Sequence, residues 1–223
     1  MSDFATARLN MVESQVRPNE VTDRRILQAM SEIPREAFVP PSMRTLAYMD
    51  EEIVLHSAGR DAPARHLMAP MPLARLIQLA SVEAGDLVLD VGCATGYSTA
   101  VLARLAESVV GLECDSGLAE TAGKTLMELE ADNAAVVTGP LPEGYSEEGP
   151  YDAILLNGAV PDVPQSLLDQ LKQGGRLVAV LSAGGLGKAT LFQNIASMIS
   201  DRPAFDAGAP ALPGFERRAT FVF

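Results

Sequence analysis

Leu87-Val88-Leu89-Asp90-Val91-Gly92-Cys93-Ala94-Thr95-Gly96-Tyr97 is the stretch on which the fold reading turns. Its first five residues, four of them apolar, read as a strand buried on both faces, followed by a two-glycine turn and a helix beginning near Tyr97. Glycines in such a turn let the backbone approach a ligand closely, and the helix start presents unpaired N–H groups. A Gly-x-x-x-Gly turn alone is a weak signal, because many α/β proteins carry one. The next apolar run, Ser108-Val109-Val110-Gly111-Leu112-Glu113, strengthens it. It ends in Glu113, seventeen residues after Gly96, where a carboxylate can accept hydrogen bonds from both hydroxyls of a ribose. A nicotinamide dinucleotide uses the same geometry but expects Gly-x-Gly-x-x-Gly for its pyrophosphate. Here the middle position is Ala94, so a nucleoside without pyrophosphate matches better.

Working outward, the alternation continues: a helix from about Leu118 to Glu130, a strand at Ala134–Thr138, a strand at Asp152–Asn157, a helix near Gln165–Lys172 and a strand at Arg176–Leu181. Apolar strands separated by helices predict an α/β fold, a doubly wound, mostly parallel Rossmann-like sheet. Upstream, Leu73, Leu76, Ile77 and Ala80 form the apolar stripe of a helix that Pro72 helps to start. Further upstream, Thr22 is positioned to cap a helix with Ile26, Leu27, Met30 and Ile33 on one face, ended by Pro34. Val39 to Ala64, with Pro40, Pro41, Gly59 and Pro63, reads as one long ordered loop. Past the core, the sequence predicts a strand at Ala189–Gln193, a helix near Ile195–Ile199 and a terminal strand at Ala219–Phe223, closing the sheet edge with antiparallel strands. The expected organisation is one domain over 1–223: N-terminal helices and a substrate loop (1–80), a cofactor-binding core (81–185) and a sheet-edge region (186–223).

Composition narrows the function. A net charge of -12 with no basic stripe, only the pairs Arg24-Arg25 and Arg217-Arg218, argues against nucleic acid as a partner. Apolar runs fall well short of the roughly 18 residues a membrane span needs, and the N-terminus lacks the pattern of an export signal, so a soluble, cytoplasmic chain is expected. Cys93 and Cys114 are then free thiols, and small apolar filler is their simplest role.

Several longer words resemble the protein-L-isoaspartate O-methyltransferase family over nearly the whole chain. They are Met11-Val12 through Gln15-Val16-Arg17, Arg25–Met30, Ile33-Pro34-Arg35-Glu36-Ala37-Phe38-Val39-Pro40 and Ala47-Tyr48-Met49-Asp50. Asp90–Ala100 resembles the family's cofactor turn, Pro150–Ile154 its fourth strand, and Leu167–Leu171 with Gly174–Val178 the helix, turn and fifth strand. The resemblance implies S-adenosylmethionine as methyl donor, S-adenosylhomocysteine as product, no metal, and the carboxylate of an isoaspartyl residue in a protein or peptide as acceptor. It implies that Gly92, Cys93, Ala94 and Gly96 line the methionine end, with Asp90, Tyr97 and Asn157 also at the cofactor. Glu113 would hold the ribose, and Cys114, Gly139, Pro140 and Leu141 would surround the adenine.

The chain departs from the family at two words. Where the family has Thr-Ile-Ser-x-Pro, this chain has His66-Leu67-Met68-Ala69-Pro70, with no hydroxyl. Where the family has Gly-Asp-Gly, it has Gly139-Pro140-Leu141. A carboxylate acceptor needs no general base, so catalysis rests on alignment, and whatever grips the acceptor matters. Ser57, Arg60, Arg65, His66 and Met68 are the candidates, an arginine fork being well matched to a carboxylate. A methyltransferase with another acceptor, and a non-catalytic cofactor-binding sensor or scaffold, stand as alternatives.

Overall fold

A computed structural model describes residues 3–56, 64–182 and 186–216. Seven strands form one sheet in the order β5-β4-β3-β6-β7-β8-β9: β3 Leu87–Val91, β4 Ser108–Glu113, β5 Ala134–Thr138, β6 Tyr151–Val160, β7 Leu171–Leu181, β8 Gly187–Ile195 and β9 Met198–Ala207. The pairs from β5 to β7 are parallel, and β8 and β9 add antiparallel. The chain leaves β3 toward β4 and β5, then returns to lay β6 on the other side of β3. That reversal opens a crevice at the carboxyl ends of β3 and β6.

The two faces of the sheet are covered unequally. One carries α3 Pro70–Ala80, α4 Tyr97–Ala103 and α5 Ser116–Glu128, with α1 Phe4–Met11 and α2 Arg24–Glu32 outside them. Among the described residues the other carries only the four-residue α6 Gln165–Leu168, a 3-10 turn at Leu141–Glu143, and the segment bearing Leu212 and Phe215. Close helix–sheet packing on the first face needs Gly111, where a β-carbon would lie 3.0 Å from Thr99 Oγ1 and 3.1 Å from Cys93 Sγ. Asp115 caps α5 by accepting from the amides of Gly117 and Leu118.

Several expectations change. Asp23, not Thr22, caps α2, accepting from the Arg25 amide; the Thr22 amide is taken by Gln78 Oε1. The expected long loop contains a 3-10 segment at Pro41–Leu46 and then β1 Ile53–His56, paired antiparallel with β2 Arg65–Leu67. The helix near Gln165 stops at Leu168 because β7 begins at Leu171, adding its first residues to β6. No helix forms at Ile195–Ile199. Ile195 and Met198 face each other across a two-residue turn in which Ala196 and Ser197 both have positive φ (52° and 65°). A hairpin turn of that kind normally advertises itself with Asn-Gly, and its absence left only the misleading Ile195/Ile199 spacing. The expected strand at Ala219–Phe223 lies outside the described residues.

Candidate active site

The turn after β3 is held in the left-handed region at three places: Gly92 (φ 81°), Ala94 (φ 53°) and Gly96 (φ 93°). That sequence of dihedrals folds the turn back onto β4, where Leu112 O accepts from the amides of Gly92 and Cys93. Glu113, fully buried at the end of β4, closes the loop: its Oε2 accepts from the Ala94 amide at 2.7 Å, and its Oε1 from the amides of Cys114 and Asp115 at 2.9 and 3.1 Å.

Arg65, on β2, forks onto the same carboxylate. Its Nε donates to Oε1 at 3.1 Å, and its Nη2 donates to Oε2 at 2.6 Å and to Gly92 O at 3.2 Å. Burial by itself raises a carboxyl pKa, but the Arg65 hydrogen bonds and the main-chain amides outweigh it and hold Glu113 below the ordinary range. The pair works both ways, raising Arg65 against its own desolvation.

Asp90 lies fully buried at the foot of the turn. Its Oδ2 accepts from Ser98 Oγ at 2.6 Å and Thr99 Oγ1 at 2.7 Å, and Ser98 Oγ in turn accepts from Asn157 Nδ2 at 2.6 Å. Asp90 Oδ1 and Asn157 Oδ1 are buried with no hydrogen-bond partner among the described residues. Burial pushes the Asp90 carboxyl up to about 6, against the two hydroxyl bonds. Asn157 and Gly158 sit in an irregularity of β6, where three residues between Leu155 and Ala159 stand opposite the single Ala179 of β7. Gly158 there admits the chain at Pro210–Leu212, since a β-carbon would lie 2.7 Å from both Leu212 Cγ and Pro210 O. Leu212 also approaches the turn after β3, where a β-carbon on Gly92 would meet its Cδ2 at 2.6 Å.

Beyond Glu113 the crevice opens into a cavity of about 370 Å³ lined by Cys114, Pro140, Leu141, Pro142, Glu143, Pro213 and Gly214. Cys114, Pro140 and Leu141 therefore share one wall, with Gly139 tied to β4 through its amide on Glu113 O at 3.0 Å. Burial pushes the Cys93 thiol up, and partial burial with the adjacent Glu113 carboxylate pushes Cys114 up to about 11, which disfavours the thiolate at both. A separate cavity lined by Ile33, Arg104 and Asn133 touches none of these residues.

Tyr97, expected at the cofactor, is the first residue of α4. Its side chain is fully buried against Phe38, edge to face at 5.4 Å between ring centroids, with the Arg35 guanidinium 4.7 Å above its ring. It belongs to the core. Of the acceptor candidates, Arg65 points inward, as does Leu67 two residues on, while His66 between them alternates to the other side of β2, its Nδ1 buried with no hydrogen-bond partner among the described residues. Met68 is buried, and Ser57 and Arg60 lie outside the described residues. Arg35 is a residue that sequence reasoning passed over as a family word. Buried without a carboxylate, it donates to Ala47 O and Met68 O, each at 2.7 Å, and so pins the segment that leads into α3.

A parallel sheet reversed beside its first core strand, a glycine-bearing turn and a buried acid ending the next strand define a Rossmann-like nucleoside-binding protein. The family model for protein-L-isoaspartate(D-aspartate) O-methyltransferase matches residues 7–200, and the chain belongs to that family. It is 37% identical over 185 residues to the protein-L-isoaspartate O-methyltransferase of Syntrophus aciditrophicus, covering 83% of this chain and 81% of that protein. It is also 37% identical over 172 residues to that of Methanoculleus marisnigri, covering 77% and 76%. A solved protein-L-isoaspartate O-methyltransferase superimposes with a TM-score of 0.80 at 26% identity, covering 93% of this chain and 66% of its own. A Plasmodium falciparum structure in complex with S-adenosyl-L-homocysteine shares the fold, with a TM-score of 0.73 at 19% identity and coverage of 92% and 97%. The chain is thus an S-adenosylmethionine-dependent methyltransferase. No helix among the described residues is long and apolar enough to cross a membrane.

Proposed function

We propose that this protein methylates the side-chain carboxylate of isoaspartyl residues in damaged proteins or peptides. The observation that carries the reading is Glu113, a buried ionised acid aimed at the glycine-bearing turn at the switch point of the sheet. When bound, S-adenosylmethionine supplies a sulfonium-activated methyl group: the acceptor's O–C bond forms as the C–S bond breaks, the electron pair passes to sulfur, and a neutral methyl ester and thioether result. No proton moves, so the protein's task is to hold and align.

Glu113 is assigned to the ribose hydroxyls, and the unpaired oxygens of Asp90 and Asn157 to the donor's ammonium group. The cavity at Cys114, Pro140 and Leu141 is assigned to the adenine, with apolar walls and main chain in place of the absent acidic side chain. Its volume lies within the range usual for small-molecule sites. A cytoplasmic address and the exclusion of nucleic acid belong to the same proposal, supported by the two free cysteines and the acidic surface.

A methyl-release assay on an isoaspartyl peptide tests the reading. Turnover well above that of a Glu113→Ala variant is expected, and turnover equal to it would overturn the assignment. The missing hydroxyls at His66 and Met68 favour one second reading, a different carboxylate acceptor. Labelled donor offered to other peptide and metabolite carboxylates separates the two. Donor binding with no transfer to any acceptor would leave a sensor.

A further inference from the structure

Glu113 is fully engaged. Its two oxygens accept from Arg65 Nε and Nη2, from three main-chain amides, and from the Cys114 thiol at 3.3 Å. A carboxylate offers about four lone-pair sites. Six donors already share those sites, and the two from Arg65 approach from β2 rather than from the carboxyl end of β4, so a nucleoside is received at this acid only in place of the guanidinium. If Arg65 leaves, the three amides and the thiol still hold the carboxylate, and the two directions that the guanidinium vacates are the ones open to ribose hydroxyls. A departing arginine in this near-dry setting needs another anion, because an unpaired buried charge is strongly disfavoured. Arg65 also touches Gly92 O, which sets it at the turn assigned to the methionine end of the donor. There an incoming acceptor carboxylate would offer the same two-point geometry that Glu113 offers now.

Building on the reading above, we propose that Arg65 couples the two substrates: parked on Glu113 in the free protein, it is displaced when the donor takes that acid and then grips the acceptor carboxylate. The order of binding follows, donor first and acceptor second. It also assigns to an arginine on β2 the gripping role for which no hydroxyl is present at residues 66 to 68.

Arginine-specific modification of the unmodified protein by phenylglyoxal, read at Arg65 by peptide mass spectrometry, tests this directly. Arg65 is 3% exposed in the free form and should be nearly unreactive. Added S-adenosylhomocysteine should raise its modification rate at least fivefold, and an isoaspartyl peptide added on top should suppress it again. A rate unchanged by S-adenosylhomocysteine, or a raised rate the peptide does not suppress, overturns the proposal. Calorimetry on Arg65→Met gives a second reading. S-adenosylhomocysteine should bind this variant about tenfold tighter than the unmodified protein, while its KM for peptide rises at least tenfold. A residue that merely braces the fold would weaken both or move neither, and either result overturns the coupling. If neither protein binds S-adenosylhomocysteine, the donor assignment itself fails; if the unmodified protein binds and Arg65→Met binds no better, only the coupling does.

Discussion

The carboxyl edge of β3 and β4 and the segment from Arg65 to Pro70 face each other across one crevice, yet they are built on different terms. The first is fixed by backbone: positive φ at Gly92, Ala94 and Gly96, three amides on Glu113, and two hydroxyls of α4 on Asp90. The second is fixed by two arginines, Arg35 on Met68 O at one end and Arg65 on Glu113 at the other. A site made of main chain admits few rewrites, because any side chain added to it collides, as a β-carbon on Gly92 does with Leu212. A site suspended from side chains can exchange one polar group for another. The turn after β3 therefore keeps the family's word, while the adenine wall has exchanged an acidic side chain for Pro140 and the acceptor half has lost both hydroxyls and keeps a cation.

The sharpest way to break that contrast is at the one residue both halves share. Glu113→Ala should weaken S-adenosylhomocysteine binding by more than about a hundredfold, since two charge-assisted bonds of roughly 1.5–3 kcal/mol each are lost. It should also lower unfolding free energy by about 3–5 kcal/mol, because Arg65 is left buried and uncompensated. Combining it with Arg65→Met should restore most of the stability and none of the affinity, which denaturant melts and calorimetry would show. Recovered affinity would mean that the donor does not use this acid. Next in size is Arg35→Met, which removes two hydrogen bonds from a buried guanidinium and should lower stability by about 2–4 kcal/mol. Donor affinity should change less than twofold while KM for peptide rises, since Arg35 holds Met68 and not the turn after β3. Equal losses on both substrates would erase the division between the halves.

How much of this was legible beforehand follows the same division. The strands at Leu87–Val91 and Ser108–Glu113 are found where their apolar runs stand, because a strand buried on both faces has no other way to be written, and the half-exposed edge strand Ala134–Thr138 is found at its apolar run as well. Glu113 was legible because a strand end and a turn fix where its side chain must go. Arg65 stood only as one grip among five, and its engagement with Glu113 was not legible. Residues 48 apart meet there through the pairing of β1 with β2, which a few residues inside a proline-bearing stretch do not announce. The same holds for Leu212, brought to Gly92 and Gly158 by a bridge between Ala159 and Ala211 that no periodicity encodes. Tyr97, expected at the ligand as the first residue of α4, packs its ring in the core beside Phe38 and Arg35, which leaves only its backbone to face the turn.

Asp90 sharpens the contrast through pH. Its folded pKa, raised by burial to about 6 from the ordinary 3.8, means that the folded state binds its proton more tightly than the unfolded chain. The stability this gives is fully present below about pH 4 and is lost as pH rises through 6. Glu113, held below the ordinary range, runs the other way and loses its contribution as pH falls through its lowered value. Comparing the unmodified protein with Asp90→Asn isolates the first effect. The variant should gain on the unmodified protein between pH 4 and 7 by roughly 2–3 kcal/mol, with a flat difference above that window. A difference independent of pH would show that Asp90 is ionised without penalty.

The smallest expected effect belongs to the residue that stands where the family carries its threonine. His66 alternates away from Arg65 on β2, and its Nδ1 is buried with no partner among the described residues, so it is not presented to the turn after β3. If the acceptor half has truly moved its grip to the arginine, His66→Ala should change KM for an isoaspartyl peptide by less than about threefold, under 0.7 kcal/mol. It should leave S-adenosylhomocysteine affinity unaltered. Replacing His66 by threonine should be equally quiet, because a hydroxyl on that side of the strand faces neither Glu113 nor Gly92. A tenfold rise in KM from His66→Ala, beside a silent Arg65→Met, would return the acceptor to the position its relatives use and leave Arg65 as a brace between two strands.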